Sequence, residues 1–185
     1  SSHPGEEALL LAAYAHLRQL IPGLALLLVP RHPQRAAEVE LLAARCGLAV
    51  SRWTPLLSLA ELPALDAVVA DVIGAMGSWI AASRLVLMGG SLGADRHGIG
   101  GHNPLEPVRL GRPVVCGADM ANFAELSDEL AAAGWLRRCL TPEQLWQTVA
   151  SHPVWQDQAP PLPPPLLEGP SRVIAERIRC QLVQS

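Results

Sequence analysis

The chain has 185 residues, half of them apolar, with 14 positive and 17 negative side chains and a net charge of −3. That length suits one ordinary domain, and the apolar share is ample for a buried core. The slightly negative balance leaves no basic footprint, so no nucleic-acid partner is expected. Every positive residue is arginine, which with the abundant Ala, Leu, Pro and Gly reflects coding bias rather than function.

Residues 6–20 read as a helix: Leu10, Ala13, Tyr14, Leu17 and, just past its end, Ile21 recur at helical spacing behind two first-turn acids, and Pro22-Gly23 stops it. Residues 24–29 are continuously apolar between turn residues and read as a fully buried strand. The loop Pro30-Arg31-His32-Pro33 follows, then an amphipathic helix over 34–46 closed by Gly47. Residues 48–53 read as a short strand, 54–65 as a loop, 66–71 as a strand, 74–83 as a helix and 84–88 as a strand. A glycine-rich loop leads from Gly89 to a helix over 104–110, with Pro104 at its first position and Asn103 as its cap. Residues 112–116 are a strand, 122–133 a helix ended by Gly134, and 135–140 strand-like. Thr141-Pro142-Glu143 starts a helix reaching about residue 151.

Strands alternating with helices, several of them apolar on both faces, predict an α/β domain over 1–157 with a parallel sheet covered by helices on both sides. A proline-rich linker over 158–169 separates it from a last helix within 170–185. Cys46, Cys116, Cys139 and Cys180 show no Cys-x-x-Cys spacing, against a zinc site or a disulfide framework, and Cys116 reads as core. A reducing cytoplasmic compartment fits. No apolar run approaches the ~20 residues of a membrane span. No signal-peptide pattern is present, and the start without Met reads as a domain excised from a longer protein.

In open parallel sheets ligands bind beyond the carboxyl ends of the strands. That rule gathers the loops at 2–6, 30–33, 71–75, 89–106 and 117–123 onto one edge. In the 89–106 loop, Gly100 and Gly101 would let bare N–H groups approach a phosphate, and the helix start at Pro104 would offer a positive dipole end. Glu106 would accept hydrogen bonds from both ribose hydroxyls; the bland alternative is a surface loop with Asn103 as cap. Arg31 suits bidentate contact with phosphate, or is a solvated turn residue. Ser2-His3-x-Gly5-Glu6-Glu7 would place N–H groups and a hydroxyl near an anion, or is a cap with first-turn acids. The turn at 71–77 is weak by itself, because glycines there commonly serve packing. There is no Gly-x-Gly-x-x-Gly with its spaced acid, no Walker A sequence and no nucleophile elbow. His16 reads as surface, His152 and His97 as loop residues without partners, and Trp79, Trp146 and Trp155 as packing residues.

Taken in order, Ser2-His3-x-Gly5-Glu6-Glu7, Pro30-Arg31-His32-Pro33, Gly89-Gly90-Ser91-Leu92, Gly100-Gly101-His102-Asn103-Pro104-Leu105-Glu106-Pro107, Gly111-x-Pro113-Val114 and Asn122-Phe123 resemble the 3-deoxy-D-manno-octulosonic acid (Kdo) transferases. The resemblance covers nearly the whole chain, and the run from Gly100 to Pro107 is its most specific part. It implies the Rossmann-like C-terminal, donor-binding half of a GT-B glycosyltransferase that moves Kdo from CMP-Kdo to a lipid A precursor at the cytoplasmic face of the inner membrane. It implies an inverting, metal-independent reaction with no cofactor. The catalytic acid and acceptor site would lie in an N-terminal domain outside this chain. CMP contacts are implied at Pro30 and Arg31, at Ile73, Gly74 and Ala75, and at Asn103, Pro104, Leu105 and Glu106. Ser2, His3, Gly5, Gly100, Gly101 and His102 would lie close by. Two departures stand out: Ala75 replaces the family's usual carboxylate, and the loop through Gly93 to Ile99 is longer. Two other readings stay open, a non-catalytic binding module and a GT-B enzyme using another nucleotide sugar such as a UDP-sugar.

Overall fold

The computed structural model describes residues 1–53, 65–92 and 99–156. The linker expected at 158–169 and the helix expected at 170–185 lie outside the described residues, as do residues 54–64 and 93–98. Helix α1 spans Glu6–Leu20 and buries Leu10, Leu11, Ala13, Tyr14 and Leu17, the face that the helical spacing marks. The residues after it are strand β1 (Leu26–Leu28), helix α2 (Ala36–Arg45), strand β2 (Val50–Arg52) and strand β3 (Ala67–Val69). Helix α3 (Met76–Ala82), strand β4 (Val86–Met88), helix α4 (Leu105–Arg109) and strand β5 (Val114–Cys116) come next. Helix α5 (Ala124–Ala132), strand β6 (Leu136–Arg138) and helix α6 (Leu145–Ala150) come last among the described α-helices and strands, followed by a 3-10 turn at Pro153–Gln156. Short 3-10 turns precede α2, α5 and α6, at Pro33–Arg35, Ala121–Phe123 and Pro142–Gln144.

All pairing within the sheets is parallel, but the described strands form two three-stranded sheets, β1-β3-β2 and β4-β5-β6. The middle strands β3 and β5 are buried at every residue, as strands with neighbours on both sides should be. The expectation that residues 24–29 form a fully buried strand needs correcting. Leu26 and Leu27 are half-buried and only Leu28 of β1 is buried; Val86 and Leu87 of β4 repeat the pattern. Each strand is the outer member of its sheet, so one side lacks a ladder partner over its first residues.

The two sheets meet at the start of the chain. Ser2 bridges Pro30 in parallel, its N–H donating to the Val29 carbonyl at 2.9 Å and its carbonyl accepting from the Arg31 N–H at 2.8 Å. Gly89, just past β4, lies so close to the Ser1 carbonyl that any side chain there would collide with it. One apolar cluster runs across both sheets, with Leu10, Leu17, Leu28, Val69, Leu92, Val115 and Leu145 among its members. A second, containing Met88, Val108, Val114, Leu130 and Leu136, fills the space under α4 and α5. Burying each such side chain contributes roughly 1.5–3 kcal/mol before the entropy of ordering is subtracted.

Polar groups fix how α1 sits on the sheet. The Tyr14 hydroxyl donates to the Leu24 carbonyl at 2.7 Å and faces Asp66 Oδ1 at 3.4 Å; burial and the Asp66 charge push it up to about 12. Asp66 also accepts the Ala49 N–H at 2.9 Å, so one carboxylate serves the amino ends of two strands and the helix above them. Glu7, nearly fully buried, accepts from Ser2 Oγ at 2.9 Å and from Arg35 Nη1 at 2.8 Å. Arg35 in turn binds Glu38, and these carboxylates raise its proton affinity further. Cys116 and Cys139 are buried thiols, pushed by desolvation up to about 12 and about 11, which confirms Cys116 as core.

His152 corrects the reading of a partnerless loop histidine. It is buried, its Nδ1 accepts the Val154 N–H at 3.2 Å, and its Nε2 meets no polar partner among the described residues. Burial, then the Arg137 charge, pushes its pKa down to about 4. The unfolded chain, with a histidine near 6.5, therefore takes up this proton first as the pH falls. Stability from the neutral ring is complete above about pH 6.5 and is lost progressively toward about pH 4. Urea unfolding across that window should show a shallower pH dependence in His152→Asn, which keeps an acceptor near Nδ1; an unchanged slope would contradict the assignment. Of the other aromatics, Trp79 meets Trp53 edge-on at 4.7 Å, His16 stacks on Trp146 at 5.3 Å, and Trp155 donates to the Val149 carbonyl.

Candidate functional site

The parallel strands send the loops after β1 and β4 to the same edge, where both reach the segment from Ser1 to Glu6. Glu6, fully buried in the first turn of α1, organises this junction. Its carboxylate accepts the N–H groups of Gly90, Ser91 and Leu92 at 3.0, 3.1 and 2.9 Å, and that of His3 at 2.8 Å. The loop after β4 is thus an anion nest, as its glycines suggest, but its anion is a side chain of the protein. Ser91 adds a second tie, its hydroxyl accepting the Gly117 N–H at 2.8 Å.

The expectation of bare N–H groups at Gly100 and Gly101 is corrected in the same way. Gly100 donates to Asp119 Oδ2 at 3.2 Å and Gly101 to the Gly90 carbonyl at 3.0 Å. Both residues have left-handed backbones, φ +72° and +74°, and a side chain at either would run into Asn122 or Met120. Glycine is required here so that the loop can lie against the segment at 117–123. Asn122 closes the contact, its Nδ2 donating to the Ile99 carbonyl at 2.6 Å and its N–H to the Gly100 carbonyl at 3.0 Å.

Asn103 Oδ1 accepts the Leu105 N–H at 3.0 Å, as the expected capping bond would, but from the residue before the cap. The helix begins one residue later than expected, at Leu105, with Pro104 in the capping position. Because α4 has only 5 residues and one of its first N–H groups is already taken, its dipole offers a phosphate less than the sequence suggested. Asn103→Ala is expected to cost about 1 kcal/mol of stability, read from the urea midpoint, and no change would mean that the Asn103–Leu105 bond is redundant.

Around this braced loop the structure brings together most of the sequence-predicted residues. Pro30 is buried and Arg31 exposed directly beside Ser2. His3 and His102 stand 2.9 Å apart, Nε2 to Nε2. His102 is pushed down to about 4 by burial first, with His3 and Arg31 adding to it and Glu6 opposing. Asn103 and Glu106 are exposed, Pro104 is buried and Leu105 half-buried. Ser2 is buried and turned toward Glu7, and Gly5 is exposed at the start of α1. Ile73, Gly74 and Ala75 lie past β3 on the same edge, with Ile73 85% exposed. The sequence reading missed Glu6 as the ligand of the nest and Asp119 as an anchor of the glycine loop. The signal for the first was present: two acids heading a helix whose neighbouring face is apolar.

No family model matches the chain. It is 32% identical over 134 residues, 72% of its length, to the 3-deoxy-D-manno-octulosonic acid transferase of Chlamydophila psittaci. It is 33% identical over 137 residues, again 72% of its length, to the Bordetella pertussis enzyme of that name, and 36% over 129 residues, or 68%, to that of Haemophilus influenzae. The chain spans under a third of these curated relatives, covering 29%, 31% and 28% of them. Its fold matches the C-terminal CMP-Kdo binding domain of WaaA from Acinetobacter baumannii with a TM-score of 0.71 and 29% identity, over 85% of this chain and 81% of that one. The chain is thus a homologue of the Kdo transferases and has the α/β, Rossmann-like fold of the C-terminal half of a GT-B glycosyltransferase.

Proposed function

We propose that this chain is the donor-binding domain of a glycosyltransferase that moves Kdo from CMP-Kdo to a lipid A precursor at the cytoplasmic face of the bacterial inner membrane. The observation that carries the reading is the convergence of Arg31, the His3–His102 pair and the run Asn103 to Glu106 at one sheet edge, held by internally satisfied loops. Likeness to the CMP-Kdo binding domain of WaaA supports the choice of donor.

In this reading the exposed Arg31 guanidinium pairs with the donor phosphate, which leaves with CMP. Glu106 accepts from the ribose hydroxyls, and Asn103 and Pro104 set the entry to α4. Pro30 positions Arg31 through its backbone. Ile73, apolar and exposed, lies against the base beside the Gly74–Ala75 turn. Gly100 and Gly101 act through packing, since their N–H groups are engaged. Arg31 supplies the counter-charge on the phosphate, so the proposal includes no metal. The catalytic acid and the acceptor belong to a further domain, and membrane association belongs to the whole protein. This chain alone is expected to bind CMP and transfer nothing.

Calorimetric titration with CMP and with UMP tests this reading. Binding of CMP in preference to UMP supports it; equal binding, or preference for UMP, points to another nucleotide-sugar donor. Ala75, where the relatives' usual carboxylate is absent, favours a second reading as a binding module without catalysis. Complementation of a Kdo transferase deficiency by the full-length protein would exclude that second reading.

A further inference from the structure

His3 and His102 are 99 residues apart in sequence and belong to different loops, yet their Nε2 atoms are 2.9 Å apart. Their rings stack with centroids 5.0 Å apart and planes 16° from parallel. Two imidazole nitrogens at that distance must be protonated unequally, one donating and the other accepting. A second proton would turn both nitrogens into donors and break their mutual bond. Among the described residues, the Arg31 charge from the loop after β1 opposes a positive charge on His102 and Glu6 from α1 favours one.

We propose that His3 and His102 form a proton-linked anion clamp in the donor site, which takes up its second proton as it receives an anionic group of the nucleotide sugar. The proposal rests on the donor-binding reading above and adds a role for the pair. Without a ligand, burial first and then the Arg31 charge oppose a second positive charge. An arriving phosphodiester or sugar carboxylate reverses that balance, and the two ring N–H groups then point at the anion rather than at each other. Either loop alone would offer one imidazole; the fold makes the pair by pinning His3 through Glu6 and the 99–102 segment through Asp119 and Asn122.

The test uses two probes whose charge does not change in the working range, the methyl phosphodiester of cytidine 5′-phosphate and the methyl glycoside of Kdo. Calorimetry in buffers of different ionisation enthalpy reads proton uptake on binding. Uptake approaching about one proton per ligand is expected near pH 6, with affinity rising by up to about tenfold per unit of falling pH. Uptake with the phosphodiester assigns the clamp to the phosphate, and uptake with the glycoside alone assigns it to the sugar carboxylate. His3→Gln and His102→Gln should each abolish the uptake. The unsubstituted protein gives a check independent of any variant's folding: nitrogen-15 shifts of both rings should move toward the doubly protonated form on saturation. Binding with no uptake and unmoved ring nitrogens overturns the clamp and leaves the donor-binding reading standing. Failure of both probes and of CMP to bind overturns both.

Discussion

Glu6→Gln is expected to lower the unfolding free energy by about 3 kcal/mol or more, and Glu6→Ala by at least as much. The carboxylate is fully buried and accepts four backbone N–H groups, three of them from the loop after β4. A glutamine presents an NH₂ where two of those donors need an acceptor, and an alanine leaves all four unsatisfied. Each buried N–H without a partner costs about 1–3 kcal/mol. Urea denaturation measures the loss, and amide exchange at Gly90, Ser91 and Leu92 should accelerate with it. Glu7→Gln is the useful comparison. It is expected to cost less, because Arg35 keeps its contact with Glu38. A loss below about 1 kcal/mol for Glu6→Gln would mean that the loop is held by its apolar contacts and not by this carboxylate.

Arg31→Ala is expected to weaken CMP binding by about 10- to 100-fold while leaving the unfolding midpoint unchanged. The side chain is exposed, and the contact that locates residue 31, its N–H to the Ser2 carbonyl, survives any substitution that keeps that N–H. Arg31→Lys should fall between the two, since an ammonium lacks the planar fork that matches a phosphate. Calorimetric titration with CMP measures the affinities. Unchanged affinity in Arg31→Ala, with unchanged stability, would make Arg31 the solvated turn residue that the sequence also allowed.

The elements were legible where local chemistry decides them. Helix α1 spans the residues that its apolar spacing and the Pro22-Gly23 stop mark out, and β3 and β5 are buried as their apolar runs imply. The half-exposure of Leu26 and Leu27 was not legible, because it depends on which strand lies alongside β1, and periodicity carries no information about lateral neighbours. The ends of most strands are shorter than the apolar runs for the same reason. The site was legible in its members and not in its wiring. Glycine spacing marked the loop after β4 as an anion nest, while the anion, Glu6, lies 84 to 86 residues earlier in the chain. The contact between His3 and His102 likewise joins loops that only the tertiary fold brings together. His152 read as a loop residue without a partner because its burial comes from packing after α6, which no local pattern announces.

Amide shift mapping of the labelled chain during a CMP titration tests the central claim most directly. The account predicts saturable shifts at Arg31, at Asn103, Leu105 and Glu106 and around Ile73 to Ala75, with His3 and His102 among the residues that move. Absence of any response at millimolar CMP, or shifts that saturate away from this edge, would contradict it.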